Sequence, residues 1–281
     1  MKSIAAANRG LKVTQYLITL FVLFVIAVPL YISVVGGLKS VGQLRAQPAA
    51  LPHPAVWSQY ADMLTGARGN FWLDLWNSLI VGTGTVAVVL LASTTAGYAL
   101  ARLKFRLNKL LYAYFLLGLL FPLAVAILPL YVQLRFLGLI DTHLGVILAQ
   151  AAFGLAMMVL LLHGFIKQIP KELEEAAAMD GYGPFGFLFK IVVPLSTPIL
   201  ATVSILTLVA SWNSFFTPLL VLNTPTKFTL PLGVMDFMGQ YAADWNRILA
   251  FLTLAMIPAL ILYILGQKYI VAGLTGGAIK G

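Results

Sequence analysis

The sequence predicts an all-α integral membrane protein with six membrane-spanning helices. Of its 281 residues, 60% are hydrophobic and only 10% are charged, and the mean hydropathy of +0.94 lies well outside the range of soluble globular domains. Six apolar runs are each long enough to cross about 30 Å of hydrocarbon, and none has Asp, Glu, Lys or Arg in its interior. These runs are 17–38, 78–101, 110–134, 144–165, 195–222 and 248–267.

The first run follows a basic amino-terminal segment, residues 1–16, that contains Lys2, Arg9 and Lys12. This start resembles a signal peptide, but the apolar run is too long for one and Val35-Gly36-Gly37 is a poor cleavage site. We therefore expect an uncleaved first span. The outer loop that follows, up to residue 76, is rich in proline, which favours turns and extended backbone over a folded domain.

Small residues and prolines mark the next two runs. Gly82, Gly84 and Gly97 lie along the second run, where they let neighbouring helices approach closely, so packing explains them better than substrate contact does. Pro122 and Pro129 interrupt the third run and predict a kink.

The basic residues alternate between the two sides of the predicted membrane. Twelve of the eighteen Lys and Arg lie in the amino terminus, the loop between the second and third runs, residues 166–194 and the tail 268–281. Excess Lys and Arg mark the cytoplasmic face. Both termini and residues 166–194 are therefore expected in the cytoplasm. This pattern also explains the net charge of +9 without nucleic-acid binding.

Residues 166–194, here called loop 166–194, interrupt the apolar sequence with a cluster of charge. Pro170 and the glutamates after it suit the first turn of a helix, which we expect from about residue 170 to 180. Gly181 and Gly183 allow the left-handed backbone that ends it, and Pro184 suits the start of a second short helix toward Pro194.

The middle of the first short helix is Ala176-Ala177-Ala178, which favours helix and adds no bulk. A helix this narrow can seat deeply in the groove of another protein. The alternative is an ordinary amphipathic helix that connects two spans.

The motif in this loop resembles the EAA loop of permease subunits in binding-protein-dependent ABC importers. The resemblance implies that the loop forms a coupling helix that docks on a separate ATPase subunit. The residues that carry it, over twenty positions, are Glu175, Ala176, Ala177, Asp180, Gly181, Ile191 and Pro194. It further implies that Glu175 orients the helix, that both alanines permit close seating, that Gly181 permits the turn and that Asp180 caps or braces it.

Other stretches are similar to the carbohydrate branch of that family, the MalG type, and the match extends from about residue 77 to the end. The similar segments are Tyr98-Ala99-Leu100-Ala101-Arg102, Pro170, Ser211-Trp212-Asn213 and the ending Gly273-Leu274-Thr275-Gly276-Gly277-Ala278-Ile279-Lys280-Gly281. The chain then divides into a cytoplasmic amino terminus (1–16), a first span with its outer loop (17–76), a permease core (77–267) and a cytoplasmic tail (268–281).

Family membership implies partners that this chain does not contain. These are a second, related permease subunit, two ATPase subunits that bind ATP and Mg, an extracytoplasmic solute-binding protein, a sugar and membrane lipid. The implied location is the inner membrane, and the chain is then a transport subunit without catalytic, cofactor or metal sites of its own.

Polar residues at the end of the fifth run are candidates for the substrate path. They are Thr207, Ser211, Trp212, Asn213 and Ser214, and the alternative for the hydroxyl groups is hydrogen bonding between helices. The outer loop near residues 223–246 is a candidate contact for the binding protein through Gly239 and Gln240, and the alternative is a plain connector.

The chain lacks the chemistry of several other classes of transporter. It has no phosphate-binding loop of the Gly-x-x-x-x-Gly-Lys-Ser/Thr type, and its span interiors have no ionisable residue for a proton or sodium path. Energy for uphill transport is therefore expected from a partner. The alternatives are an importer of peptides, amino acids, phosphate or polyamines, an ATP-independent channel or facilitator, and a membrane enzyme.

Overall fold

The computed structural model describes residues 2–239 and 242–278, and the regular elements within them are helices, apart from one bridge between Met238 and Ala243. The predicted all-α class is therefore confirmed. The chain divides into two compact units, Met1–Phe71 with Val234–Ile257 and Trp72–Gly233 with Pro258–Gly281. Each unit is described separately below.

The α-helices are numbered in chain order. They are α1 Lys2–Gly37, α2 Val41–Ala46, α3 Ser58–Leu64, α4 Phe71–Arg102, α5 Asn108–Gly118, α6 Leu123–Phe136, α7 His143–Ile166, α8 Lys171–Met179, α9 Pro184–Phe187, α10 Val193–Leu195, α11 Thr197–Trp212, α12 Phe216–Val221 and α13 Trp245–Ala278. A π-helical turn, Leu188–Val192, connects α9 to α10, and two 3₁₀ turns, Pro225–Lys227 and Leu232–Phe237, lie between α12 and α13.

Within the described ranges, four helical segments are long and apolar enough to cross a membrane. They are Thr14–Gly37, Phe71–Arg102, His143–Ile166 and Trp245–Gln267, which correspond to the first, second, fourth and sixth predicted runs. A fifth span results if Pro184–Leu195 and Thr197–Trp212, which meet at a bend of 78°, are counted together. Helix α13 continues past the sixth run to Ala278, and the last three residues of the predicted tail lie outside the described part of the chain.

The third and fifth predicted runs are each divided in two. In the third, α5 ends at Gly118 and α6 begins at Leu123, because Pro122 takes an extended ψ of 134° and lacks the N–H that a continuous helix needs. In the fifth, α11 ends at Trp212 and α12 begins at Phe216. Pro218 cannot donate the hydrogen bond that would carry α11 onward.

The outer loop after α1 is more ordered than its prolines suggest. Ser40 and Gln43 form a reciprocal capping box at the start of α2, with Gln43 N–H donating to Ser40 Oγ at 3.3 Å and Ser40 N–H donating to Gln43 Oε1 at 3.0 Å. The buried Lys39 donates from Nζ to the carbonyl oxygens of Gln47 and Pro48 at 2.7 and 2.8 Å. These contacts replace the turns expected from composition alone.

The small residues of α4 pack against other helices of the second unit, as predicted. A Cβ added at Gly97 would lie 3.1 Å from both the backbone nitrogen of His163 and the Cβ of Leu162 in α7. At Gly84 it would lie 2.6 Å from Ile147 Cδ1. The helices α4 and α7 therefore pass so closely that larger residues would separate them.

Candidate functional site

Loop 166–194 folds as the sequence predicts. Helix α8 begins directly after Pro170, and Pro184 is the first residue of α9. The chain then passes through the π-helical turn into α10, whose second residue is Pro194. The result is two short helical arms joined by a four-residue turn.

The turn between the arms depends on Gly181, whose φ of +83° is in the left-handed region. The N–H of Tyr182 donates to the carbonyl of Ala177 at 2.9 Å and the N–H of Gly181 donates to Ala178 at 3.1 Å. These two bonds form a Schellman motif, which satisfies carbonyls that the end of α8 leaves free. Asp180 is the exposed C-cap residue, and its N–H donates to the carbonyl of Ala176 at 3.0 Å.

The last turn of α4 holds both arms of this loop. Arg102 donates from Nη2 to the carbonyl of Ile166 at 2.8 Å and also to that of Ile169, and its Nη1 lies 3.5 Å from Glu174 Oε2 in α8. Tyr98, one turn earlier, donates from its hydroxyl to the carbonyl of Pro184 at 3.0 Å. Only 4% of the Arg102 side chain is exposed, so this anchor is built into the protein interior.

The contact between Arg102 and Glu174 is not predictable from the local sequence. Both lie in segments that carried the family resemblance or bordered it, but nothing local indicated that they meet. One sequence feature could have indicated the contact: an arginine ends a long apolar run, and a later loop contains three glutamates.

The two alanines of the motif face in different directions, which corrects the expectation that both seat in a partner's groove. Ala177 is 2% exposed and packs in the core cluster that contains Tyr98, Ile166 and Phe187. Ala176 is exposed. The small side chain at 177 therefore lets α8 lie close to its own chain.

The opposite side of the loop presents apolar side chains outward. Met179 is 89% exposed and Phe185 is 76% exposed, beside the exposed Glu175 and Ala176. Large apolar side chains with this exposure make the loop a candidate surface for contact with another protein. Of the remaining motif residues, Ile191 is half-buried against the core and Pro194 is exposed.

The five predicted substrate-path residues do not form one surface. Thr207, Ser211 and Trp212 are buried, whereas Asn213 is exposed and donates to the carbonyl of Val209 in its own helix at 2.8 Å. Ser214 is half-buried beyond the end of α11.

Ser211 takes part in a polar contact between helices. Its hydroxyl donates to Gln150 Oε1 of α7 at 2.5 Å, and Thr85 of α4 donates to the same oxygen at 3.2 Å. The alternative role considered for the hydroxyl groups, hydrogen bonding between helices, therefore describes Ser211. Gln150 was not singled out, although an amide inside an apolar run is itself a signal.

Residues around Gly239 line a cavity in the first unit. Its volume is about 420 Å³, and its wall includes Arg68, Asp236, Asp244 and Arg247. Arg247 Nη1 lies 2.7 Å from Asp244 Oδ2. Gln240, the other predicted contact for a binding protein, lies outside the described residues.

A second anchor, here called the Asp141 latch, joins the start of α7 to residues 223–227. Asp141 Oδ1 accepts from the backbone N–H of Asn223 and of Thr224, at 2.9 and 3.0 Å, and Oδ2 accepts from Thr224 Oγ1 and Lys227 Nζ, at 2.6 and 2.8 Å. His143 Nε2 lies 3.0 Å from the carbonyl of Lys227.

The latch holds its charge at low pH. Burial opposes ionisation of Asp141, but the hydrogen bonds from Lys227, Thr224 and Asn223 outweigh it and hold the pKa of this carboxyl well below its usual range. The lowered pKa stabilises the fold above the pKa of an ordinary aspartate, and that contribution disappears only as pH falls through the lowered value. The latch is therefore intact at physiological pH.

Metal binding has no candidate in the part of the chain that the structure describes, where no three His, Asp or Glu side chains are grouped to hold an ion. The three histidines are separated, with His53 in the outer loop, His143 at the start of α7 and His163 near its end.

Comparisons with known proteins identify the family of this chain. Residues 90–276 match the family model described as "Binding-protein-dependent transport system inner membrane component". A solved bacterial ABC transporter involved in import of the acidic polysaccharide alginate has a similar fold, with a TM-score of 0.76 at 23% identity, over 92% of this chain and 95% of that one.

Two relatives are similar over most of their length. A putative ABC transporter permease protein, ORF2, of Caldicellulosiruptor sp. is 42% identical over 77% of this chain and 79% of its own. The arabinooligosaccharides transport system permease protein AraQ of Halalkalibacterium halodurans is 32% identical over 93% of this chain and 94% of its own. The chain is therefore a multi-pass membrane protein that belongs to the family of binding-protein-dependent transport system inner membrane components.

Proposed function

We propose that this chain is the permease subunit of an ATP-driven importer that translocates a sugar or oligosaccharide delivered by an extracytoplasmic binding protein. The family description supports the dependence on a binding protein. The AraQ relative and the alginate importer support a carbohydrate as the solute. An importer of another solute is the second candidate, and an ATP-independent channel fits less well because loop 166–194 has a surface built for a partner.

The proposed topology has six spans in the inner membrane, with both termini in the cytoplasm. In it, α5 and α6 together form the third span despite their break, and α11 with α12 forms the fifth. The distribution of Lys and Arg supports this orientation, because twelve of the eighteen lie in segments assigned to the cytoplasm.

The observation that supports coupling most strongly is an exposed surface on a firmly anchored arm. Ala176, Met179 and Phe185 are exposed, as is Glu175, while Arg102 joins the start of this arm to the ends of α4 and α7. We infer that this surface docks on one of two ATPase subunits, which bind ATP and Mg. A second permease subunit would complete the pore and bind the other ATPase subunit.

Few contacts connect α8 to the spans, so its movement would be transmitted to them through Arg102 and Tyr98. When the ATPase pair closes on ATP, α8 would move as a rigid piece and pull Arg102 and Tyr98 of α4, together with the carbonyl end of α7. Helix α7 has 24 residues and is therefore about 36 Å long. It begins beside the Asp141 latch, so its motion would reach the far side of the unit.

The outer loops are the proposed entry for solute. The Asp141 latch of the second unit and, separately, the cavity beside Gly239 of the first unit are each proposed to contact the binding protein, and Gln240 is a further proposed contact. Asn213 is the exposed residue of the predicted substrate path and is its best remaining candidate, since Ser211 is occupied by Gln150.

A charge reversal at Glu175 tests this function. Glu175 is exposed, so Glu175→Lys should leave the fold unchanged while repelling a partner that fits an acidic helix. In proteoliposomes that contain the complete complex, binding protein and sugar, we expect uptake to fall at least tenfold. The matched control is Glu172→Lys, on the same helix one turn earlier and also exposed. Equal uptake in Glu175→Lys and wild type, at equal ATPase content, would contradict the proposed docking.

A further inference from the structure

A basic cavity of about 1320 Å³ lies behind loop 166–194, where helix ends of the second unit meet. Its wall is formed by the end of α4, residues 103–106, the start of α5, the end of α7 and the first turns of α8. Two glutamates and six basic side chains line it, and the basic ones are Arg102, Lys104, Arg106, Lys109, Lys167 and Lys171.

Most of this positive charge is not neutralised by the protein. Arg102 is occupied by carbonyl oxygens and by Glu174, which is one of the two glutamates. Among the described residues, the other five basic side chains form no ion pair. With six basic and two acidic side chains, the lining has a formal charge of +4.

Helix α5 adds a second feature that favours an anion. It begins at this cavity with Leu107 as N-cap, which provides no side-chain hydrogen bond, and its first turn contains no acidic residue. The free N–H groups at the positive end of a helix attract negative charge. The dipole of α5 and the side chains of Lys104 and Lys109 thus act in the same direction.

The cavity continues into an apolar surface. Tyr112 lines the cavity three residues after Lys109, and Leu116, four residues further along α5, is exposed. Residues at this spacing share one face of a helix. Leu110, Leu117 and Tyr114 of the same helix are also exposed. A ligand with an anionic head and apolar chains matches both the basic cavity and the apolar surface of α5. A small free anion would contact only the basic cavity.

We propose that this cavity binds the headgroup of an anionic phospholipid, with its phosphodiester among Lys104, Arg106 and Lys109 and its acyl chains along α5. Basic pockets at helix ends near a membrane surface suit such headgroups. Because Glu174, Glu175 and Arg102 border the same cavity, the lipid would contact α8 as well as the end of α4.

Lipid titration of the purified complex in detergent tests this proposal. With phosphatidylglycerol as the probe, Lys104→Gln/Lys109→Gln should bind about 25-fold more weakly, since each basic residue near an anionic lipid contributes about fivefold. The charge-matched control Arg45→Gln/Arg135→Gln, at two exposed residues that do not line the cavity, should bind as wild type does. Lys104→Arg/Lys109→Arg should also retain binding.

Several outcomes would overturn the proposal. Equal affinity for phosphatidylcholine with the same acyl chains would show that charge does not matter, and equally effective competition by inorganic phosphate would show a free-anion site. If the Gln variant keeps its lipid affinity but loses the ATPase subunit on purification, the cavity docks a protein instead. Unchanged thermal melting of the Gln variant without added lipid establishes that its weaker binding is not due to misfolding.

Discussion

Gly181→Val is expected to reduce ATP-driven uptake by more than tenfold while the protein stays in the membrane. The φ of +83° at this position costs an ordinary L-residue about 1–2 kcal/mol, and a β-branched side chain is a greater outlier there. The Schellman bonds from Gly181 and Tyr182 would be lost, so α8 would no longer be held at a fixed angle to α9. Uptake and ATPase activity measured together in proteoliposomes check this result.

Two substitutions at the same turn separate backbone strain from lost space. Gly183 has a φ of −76°, which any residue adopts, and a Cβ at either glycine would meet no atom within 4 Å. Gly183→Val should therefore behave almost as wild type, and Gly181→Asn should retain most activity because asparagine tolerates the left-handed region. Equal loss in Gly181→Val and Gly183→Val would mean that the turn geometry is not what matters.

Arg102→Ala is expected to cause the second large effect. It removes the Nη2 group that donates to the carbonyl oxygens of Ile166 and Ile169, and a hydrogen bond that involves a charged group contributes about 1.5–3 kcal/mol. The carboxyl end of α7 and the start of α8 would then separate from α4. We expect at least a tenfold loss of uptake and a lower melting temperature of the purified complex.

Substitution of Glu174, the ion-pair partner of Arg102, separates the effect of the ion pair from that of the carbonyl contacts. Glu174 is 40% exposed and lies 3.5 Å from Arg102 Nη1, so this ion pair contributes little. Glu174→Ala should reduce uptake less than twofold, and Arg102→Lys should retain more uptake than Arg102→Ala because an ammonium can also donate to two carbonyl oxygens, as Lys39 does. If Glu174→Ala were as severe as Arg102→Ala, the ion pair and not the carbonyl contacts would anchor the loop.

Local chemistry explains what could be predicted from the sequence. The bounds of α8, the left-handed residue at Gly181 and the start of α9 at Pro184 all depend on residues within a few positions of each other. The close passage of α4 and α7 at Gly97 could be inferred because only small residues permit it.

The features that could not be predicted from the sequence depend on contacts between residues far apart in the chain. Arg102 lies 64 positions from Ile166, and Asp141 lies 82 positions from Asn223, so no local pattern indicates either anchor. The inward face of Ala177 was missed for a different reason. Alanine fits equally well against a partner or against its own core, so only the packing around it decides.

A single thiol on the exposed surface of α8 tests the proposed docking most directly. The chain has no cysteine, so Met179→Cys introduces its sole thiol, at a side chain that is 89% exposed. With a short bifunctional reagent, the complex should give a crosslinked product of this chain and an ATPase subunit, whereas Arg135→Cys, exposed at the end of α6, should not. Uptake at the wild-type rate without any crosslink from position 179 to an ATPase would contradict coupling through this helix.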